Sequence, residues 1–164
     1  MPLTFRPLTA TDGAVVHLLH GDPQTNLHNP YGASPDRATS ERMLAGWLDH
    51  WSAFGFGYEL VELDGECVGI CGVRRDAWLG EPVLNLYWRI LPEFQGRGLG
   101  MLAAQHALAS GRDAPTSAPI VARMLAGNEA SQAVARRLGL IRSPERDATV
   151  DGADWQVWVD DAQG

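Results

Sequence analysis

The chain has 164 residues, 45% of them hydrophobic and 20% charged, and a formal net charge of −7 at pH 7. This length fits one folded domain over residues 1–164, and we expect no membrane span and no secretion signal, because apolar runs are short and the N-terminus lacks a charged segment followed by an apolar one. The acidic balance argues against nucleic acid as a partner and favours a cationic one, such as an amine.

The first part of the chain is predicted to form a strand and two helices separated by a long loop. The strand covers residues 4–8 and is followed by a short amphipathic helix. Residues 21–36 carry three Pro, two Gly and two Asn, which exclude regular structure and predict a long loop of the kind that is often functional. The second helix is predicted to be capped by Thr39 or Ser40 and to end near Ser52.

The middle of the chain is predicted to form an antiparallel meander of three strands. Strands over residues 56–63 and 67–73 flank Asp64-Gly65, a dipeptide that strongly favours a hairpin turn. A looser link over residues 74–82 is expected to lead into the third strand, residues 84–91, which is rich in β-branched, aromatic and long apolar side chains.

Two cysteines lie in the second meander strand. Cys67 and Cys71 have a CxxxC spacing that is typical of neither a redox pair nor a zinc site. Four residues apart on a strand, they are expected to share one face and to be buried free thiols. Free thiols indicate a reducing compartment, so we expect a cytoplasmic protein.

The most informative segment is the loop Gln95-Gly96-Arg97-Gly98-Leu99-Gly100, which joins the third meander strand to a helix predicted over residues 99–108. Glycines on alternate positions let the backbone turn tightly and leave its N–H groups uncovered. Uncovered N–H groups at a helix N-terminus form an anion site, to which Arg97 adds a permanent positive charge. The loop does not end in Gly-Lys-Ser/Thr, and one residue separates its last two glycines, so neither the P-loop nor the dinucleotide-binding spacing fits. The segment predicts a site for another kind of phosphorylated ligand.

The last part of the chain is predicted to add two strand regions and one helix. A short apolar strand covers residues 120–124, and a helix over residues 129–138 ends before Gly139. A last strand over residues 155–159 is expected to pair with part of residues 141–150.

Two motifs together resemble one protein family. The pattern Gln-x-x-Gly-x-Gly, with Pro92 closing the strand before it and an Ala-rich helix after it, resembles the pyrophosphate loop of the GNAT superfamily, the acetyl-CoA-dependent N-acetyltransferases. Residues 127–140 are similar to the Asn-x-x-Ser…Lys/Arg-x-Gly-Phe segment of the ribosomal-protein (RimJ/RimL-like) branch, although Leu140 replaces the usual aromatic residue. Residues 5–12 resemble the opening of that branch as well.

The resemblance implies an α+β fold and a place for the ligand in it. The expected GNAT fold has a mixed, mostly antiparallel sheet flanked by about four helices, with one splayed pair of central strands. The pantetheine arm of acetyl-CoA is expected to enter between the strand that ends at Leu91 and the strand over residues 120–124. The loop over residues 21–36 is expected to help form the acceptor site.

The resemblance also implies which residues bind acetyl-CoA. The glycine loop would take the pyrophosphate, and the backbone N–H of Ile90 would support the thioester oxygen as it gains negative charge. Read from the residues alone, Asn128 is equally well explained as a helix N-cap. The acetyl-CoA-binding set is Ile90, Gln95, Gly96, Arg97, Gly98, Leu99, Gly100, Met101, Asn128 and Ser131.

The catalytic residues are less determined. Tyr occurs only at positions 31, 58 and 87, so the thiolate-protonating Tyr that many family members carry on the last helix is absent. Ser131, or water, is expected to protonate the thiolate. Glu59 is the first candidate for the base that deprotonates the ammonium, and no metal site is expected. Further candidates for the base are Glu62, Glu41 and His50, and Tyr87 or Asn85 are candidates to face the acceptor.

The function expected from these residues is acetyl transfer from acetyl-CoA to a primary amine, by direct attack in a ternary complex. The acceptor is a protein N-terminus or a small-molecule amine. The alternative is a non-catalytic acyl-CoA-binding domain with a regulatory role. A nucleotide-binding α/β domain is disfavoured by the glycine spacing and the antiparallel meander. A homodimer is the most common assembly for such a chain.

Overall fold

The computed structural model describes residues 2–163 and contains, within that range, an eight-stranded sheet and four α-helices. The strands are β1 (Leu3–Pro7), β2 (Tyr58–Leu63), β3 (Glu66–Trp78), β4 (Glu81–Ile90), β5 (Ile120–Leu125), β6 (Ile141–Arg142), β7 (Ala148–Val150) and β8 (Ala153–Val159). The helices are α1 (Gly13–Gly21), α2 (Arg37–Phe54), α3 (Leu99–Asp113) and α4 (Glu129–Arg137). Across residues 2–163, no helix is both long and apolar enough to span a bilayer.

The sheet has the order β1-β2-β3-β4-β5-β8-β6, and β7 also pairs with β8. Every pairing is antiparallel except that of β4 with β5, which is parallel. This mixed sheet with its four helices confirms the predicted α+β architecture.

The two faces of the sheet are covered by different helices. On one face, α3 and α4 pack against the side chains of Leu84, Leu86 and Ile90 of β4. On the other face, α1 and α2 form a cluster that Tyr87 of β4 packs against. Because side chains alternate along a strand, neighbouring β4 residues serve opposite faces. We call these the α3/α4 face and the α1/α2 face.

The central strands β4 and β5 separate soon after they meet. Their pairing consists of Leu84 with Ile120 and Asn85 with Val121, and β4 then runs on to Ile90 without β5. The predicted splayed pair of strands is therefore present. A gap opens in the middle of the sheet, and each strand lines one side of it.

The third meander strand begins earlier than the sequence predicted. Residues 74–82, expected to be a loose link, are the ends of β3 and β4 and a two-residue turn between them, with Trp78 paired to Glu81. The turn residues Leu79 and Gly80 have φ angles of 52° and 83°, as a tight hairpin requires. The turn was not predicted because Leu rarely adopts a positive φ, and the polar run before it hides the strand alternation.

Two further features differ from the predictions. The helix α2 begins at Arg37, because the carboxylate of Asp36, three to four residues ahead of the predicted cap, accepts a 2.7 Å hydrogen bond from the N–H of Thr39. The two free cysteines lie on opposite faces of β3: Cys71 belongs to the α3/α4 cluster and Cys67 packs against the α1/α2 cluster. A bulge at Val68, which has no partner on β2, reverses the alternation between them.

Candidate active site

The gap between β4 and β5 widens into a cavity of about 790 Å³ that reaches both faces of the sheet. One side is formed by the glycine loop and by the start of α4, and we call it the glycine-loop side. The other is formed by residues of the α1/α2 face of β4 and β5 together with the loop over residues 21–36, and we call it the arginine side. No carboxylate side chain is among the described residues that line the cavity.

The glycine loop presents a row of unused backbone donors. Gly96 and Gly98 have φ angles of 79° and 78°, and Gly98 is the N-cap of α3. The first hydrogen bond of the helix runs from the N–H of Leu102 to Gly98, and within residues 2–163 the N–H groups of residues 96–101 have no acceptor. No acidic residue lies in the first turn of α3, so the positive end of the helix dipole is left uncompensated. This geometry is that of an anion site.

Two side chains of this loop have definite positions. The Gln95 amide donates a 3.0 Å hydrogen bond to the carbonyl of Ile90, which ties the loop to the end of β4. Arg97 is exposed, with its guanidinium 5.4 Å from the centroid of the Phe94 ring, and does not line the cavity. The Leu99 side chain is buried in the core, and the cavity is lined by Gly96, Gly98, Leu99, Gly100 and Met101.

The start of α4 faces the same cavity. The carbonyl oxygen of the Asn128 side chain accepts a 3.2 Å hydrogen bond from the N–H of Ser131, so Asn128 is indeed the N-cap of this helix. Its amide nitrogen and the Ser131 hydroxyl make no hydrogen bond among residues 2–163, and both residues line the cavity. Capping and ligand contact are compatible, since they use different atoms of Asn128.

The backbone of β4 also points donors into the gap. The N–H of Leu84 bonds to Pro119 at the β5 side, while that of Leu91 bonds to Val68 of β3. Because N–H groups alternate in direction along a strand, those of Trp88 and Ile90 point away from β3. Both residues lie beyond the last β4–β5 pair, so these N–H groups face the cavity rather than another strand.

The arginine side is rich in hydrogen-bonded polar side chains. The Asn85 amide donates to the Tyr58 hydroxyl at 3.3 Å and its oxygen accepts from Arg123 at 3.0 Å. Arg123 also pairs with the carboxylate of Asp76, which offsets its charge. Of the two predicted acceptor-facing residues, Asn85 is thus occupied, and Tyr87 lines the cavity beside it.

A buried histidine orders the neighbouring groups. Burial, and secondly the charge of Arg89, lower the pKa of His20 to about 3, so its imidazole is neutral. Arg89 can only donate, so the His20 Nδ1, 3.2 Å away, must accept; Nε2 therefore carries the proton and donates to the Tyr87 hydroxyl at 2.9 Å. The phenolic hydrogen of Tyr87 is then free for another acceptor. Burial raises the pKa of Tyr87 to about 12, which keeps it a neutral donor.

The structure places Glu59 away from the cavity. Its carboxylate accepts a 2.7 Å hydrogen bond from His106 of α3, whose ring stacks on Phe5. Strand β3 stands between β2, which carries Glu59, and β4, so the expected position beside the cleft is corrected. The alternatives Glu62, Glu41 and His50 do not line the cavity either and are engaged by Arg6, Arg37 and the Phe56 carbonyl, respectively.

Sequence reasoning missed several residues of the arginine side. Arg89 and the ring pair Trp78 and Trp155 line the cavity but belong to no local motif. The expected loop over residues 21–36 does line the cavity, and its Tyr31 hydroxyl donates a 2.6 Å hydrogen bond to Asp151 in the β7–β8 turn. No cluster of metal-ligating side chains occurs among the described residues.

Comparison with known proteins identifies relatives of this architecture. The sequence profile described as "Acetyltransferase (GNAT) domain" matches residues 2–141. A GNAT-family acetyltransferase from Bordetella pertussis superposes with a TM-score of 0.79 at 20% identity, covering 96% of this chain and 94% of that one. An acetyltransferase from Agrobacterium tumefaciens str. C58 gives 0.77 at 25% identity, covering 96% and 90%. RimL, a ribosomal L7/L12 α-N-protein acetyltransferase in complex with coenzyme A, gives 0.73 at 18% identity, covering 96% and 93%.

Proposed function

The chain belongs to the GNAT acetyltransferase family, and from that premise we propose that it transfers an acetyl group from acetyl-CoA to a primary amine by direct attack in a ternary complex. The observation that carries the proposal is the cavity between β4 and β5, which is open to an anion site on one side and to a polar wall on the other. A donor and an acceptor can thus meet from opposite faces of one sheet.

The glycine-loop side fits the pyrophosphate and pantetheine of acetyl-CoA. Within the part of the chain that the structure describes, the N–H groups of residues 96–101 have no acceptor, and a Cβ added at Gly96 or Gly98 would meet no atom within 4 Å, so space for phosphate oxygens exists at the loop. Arg97 would add charge from solvent, and Gln95 would hold the loop against Ile90. Asn128 and Ser131 would lie beside the pantetheine arm.

The N–H of Ile90 is our candidate for the donor to the thioester oxygen. It points into the cavity without a strand partner, and the hydrogen bond from Gln95 to the Ile90 carbonyl fixes the adjacent peptide, which joins Ile90 to Leu91. A donor held in place before the reaction stabilises developing negative charge, and one such donor is worth roughly 2.7–4 kcal/mol of barrier.

Ser131 and His28 are our candidates for the two proton transfers. The Ser131 hydroxyl has no other partner among residues 2–163 and would donate to the departing thiolate. His28 is the only imidazole among the described residues that line the cavity, and it would accept the proton of the ammonium in place of Glu59.

The experiment for this function is release of free thiol from acetyl-CoA in the presence of candidate amines. The panel includes peptides with free N-termini, since the RimL-like resemblance makes a protein N-terminus one candidate acceptor, and amino acids, polyamines and aminoglycosides. Thiol release that needs both enzyme and amine supports the proposal. The cytoplasm is the expected compartment, where acetyl-CoA is made available to such an enzyme.

One observation favours a second function, a non-catalytic acyl-CoA-binding domain. The described cavity wall has no carboxylate that could act as a base, and α4 carries no Tyr. Calorimetric titration with coenzyme A separates the two functions: binding without thiol release for any amine supports the binding domain, and absence of binding contradicts both.

A further inference from the structure

The cavity wall on the arginine side carries a positive charge that the overall composition does not suggest. Among residues 2–163, no ion pair includes Arg89, and its Nε and Nη2 groups make no hydrogen bond. The chain as a whole has a net charge of −7, yet no Asp or Glu is among the described residues that line the cavity. A half-buried guanidinium without a counterion is an unusual feature, and it calls for an anionic partner from outside the chain.

The position of Arg89 distinguishes between acetyl-CoA and the acceptor as the source of that anion. Arg89 follows Trp88 and precedes Ile90 on β4, so its side chain leaves the strand on the α1/α2 face, while Ile90 packs towards α3 and the glycine loop. The phosphates of acetyl-CoA would therefore be on the other side of the sheet. An anion bound by Arg89 would instead be part of the acceptor. Arg89 is next to Ile90, whose N–H is our candidate donor to the thioester oxygen.

The neighbours of Arg89 hold it in place and leave it fully charged. One of its nitrogens donates to Asn26 at 2.9 Å and to the His20 ring at 3.2 Å, and His20 is neutral. The guanidinium carbon lies 5.6 Å from the centroid of the Tyr87 ring, so the free phenolic hydrogen of Tyr87 belongs to the same wall. The unpaired Nε–Nη2 edge of the guanidinium can bind a carboxylate through two hydrogen bonds, and the phenol can add a third.

Resting on the proposed function, we infer that the amine acceptor carries an anionic group close to its amine and is an amino acid or a related aminocarboxylate. Arg89 and Tyr87 bind the carboxylate, and the amine is thereby held next to the thioester. Polyamines and aminoglycosides, which bring several positive charges towards Arg89, are excluded by repulsion.

The test compares acceptors that differ in the carboxylate. L-Phenylalanine and phenethylamine share the amine and the ring, and 3-phenylpropionate keeps the carboxylate without the amine. The inference expects kcat/KM for L-phenylalanine to exceed that for phenethylamine by about tenfold or more, the size of one charge-assisted pair. It also expects 3-phenylpropionate to inhibit competitively against the amine. Equal rates for the two amines would overturn it, and so would a preference for spermidine over every amino acid tested.

Variants then attribute the preference to Arg89. In Arg89→Gln the ratio of the two kcat/KM values should fall to about one, and Arg89→Lys should retain part of it. Arg42→Gln, an exposed position on α2, makes the same charge change as a control. An equal loss for both amines in Arg89→Gln would mean that Arg89 only supports the structure, and a loss of coenzyme A affinity would mean that it serves the donor; either result would overturn the inference.

Failure of this inference is distinguishable from failure of the proposed function. If no amine releases thiol, the proposed function fails, and binding of 3-phenylpropionate to the protein–coenzyme A mixture, measured by calorimetry, still tests the carboxylate site. If thiol is released but with no dependence on the carboxylate, the proposed function stands and the inference fails.

Discussion

The two sides of the cavity present different kinds of chemical group to a ligand. On the glycine-loop side, the groups aimed at a ligand are backbone N–H groups of one continuous segment, residues 96–101, and of β4. On the arginine side, they are side chains brought together from α1, β4, β5 and a loop, such as His20, Tyr87, Arg89 and Arg123. The first side suits a ligand part common to a whole family, and the second suits a part that differs from enzyme to enzyme.

The strongest test of this comparison is a change on the glycine-loop side. Gly98→Glu places a carboxylate among the unpaired N–H groups and strains a residue with a φ of 78°, so coenzyme A affinity should fall by about a hundredfold or more. Calorimetry provides the measurement. Gly65→Glu, at a φ of 82° in a hairpin turn outside the cavity, makes the same change in charge and strain and should bind normally. Equal binding by both variants would show that the loop does not hold the phosphates.

A substitution on the glycine-loop side tests whether that side also supplies a proton donor for the reaction. Ser131→Ala should lower kcat by about tenfold to a hundredfold, since a positioned proton donor is lost, and should leave coenzyme A affinity nearly unchanged. Initial rates of thiol release measure kcat, and calorimetry measures the affinity for coenzyme A. Ser52→Ala, at an exposed position of α2, is the control. An unchanged kcat would indicate that water, and not Ser131, protonates the thiolate.

Acid should lower the free energy of unfolding through the arginine side, because that side contains a neutral buried histidine. The pKa of His20 is lowered to about 3 in the folded chain, so between pH 6.5 and 3 the unfolded state binds a proton that the folded state does not. Its stabilising contribution is full above pH 6.5 and falls by about 1.4 kcal/mol per pH unit below it.

The variant His20→Gln removes this titration. Urea unfolding at several pH values should show its free energy of unfolding falling less steeply than that of the unmodified chain between pH 6.5 and 4.5. The matched control is His28→Gln, an exposed imidazole, which should keep the steeper dependence. Parallel curves for His20→Gln and the unmodified chain would mean that His20 is not buried neutral.

The smallest effect is expected where the arginine side meets solvent. Tyr31→Phe removes the hydrogen bond to Asp151 that joins the loop over residues 21–36 to the β7–β8 turn, and exposed hydrogen bonds contribute little. We expect KM for the acceptor to rise by about threefold, with KM for acetyl-CoA unchanged. A double-mutant cycle with Asp151→Gly, which removes the acceptor at a residue with a φ of 51°, measures the coupling. Additive effects of the two substitutions would contradict a contact between the loop and the turn.

The same contrast explains what could be predicted from the sequence. The glycine loop and the Asn128–Ser131 cap are local patterns, so their residues and their helix starts follow from short-range chemistry. The splayed strands were reached only through the family resemblance. The bulge at Val68 and the Leu79-Gly80 turn were missed, because they depend on pairing between strands and on a positive φ at a residue type that rarely adopts it.

The arginine side could not be predicted because its chemistry is not local. Arg89 meets Asn26 across 63 positions and His20 across 69, and no spacing rule links such residues. Glu59 was chosen as a base for its residue type and strand, but a helix that follows the glycine loop brings His106 to it. The net charge was misleading for a similar reason. It favoured a cationic partner, but the carboxylates of this acidic chain lie outside the described cavity wall, which contains an arginine.

The short contact between β4 and β5 also bears on the stability of the molecule. Within residues 2–163, two pairs of residues are all that join β1–β4 to β5–β8 in the sheet, so the sheet is weakest at its centre. A ligand that occupies the gap and bonds to the N–H groups of Trp88 and Ile90 would act as the missing strand. By mass action, a ligand at a thousand times its Kd raises the free energy of unfolding by about 4 kcal/mol. Cosubstrate concentration would then affect not only the rate of the enzyme but also the fraction of molecules in which β1–β4 and β5–β8 are held together.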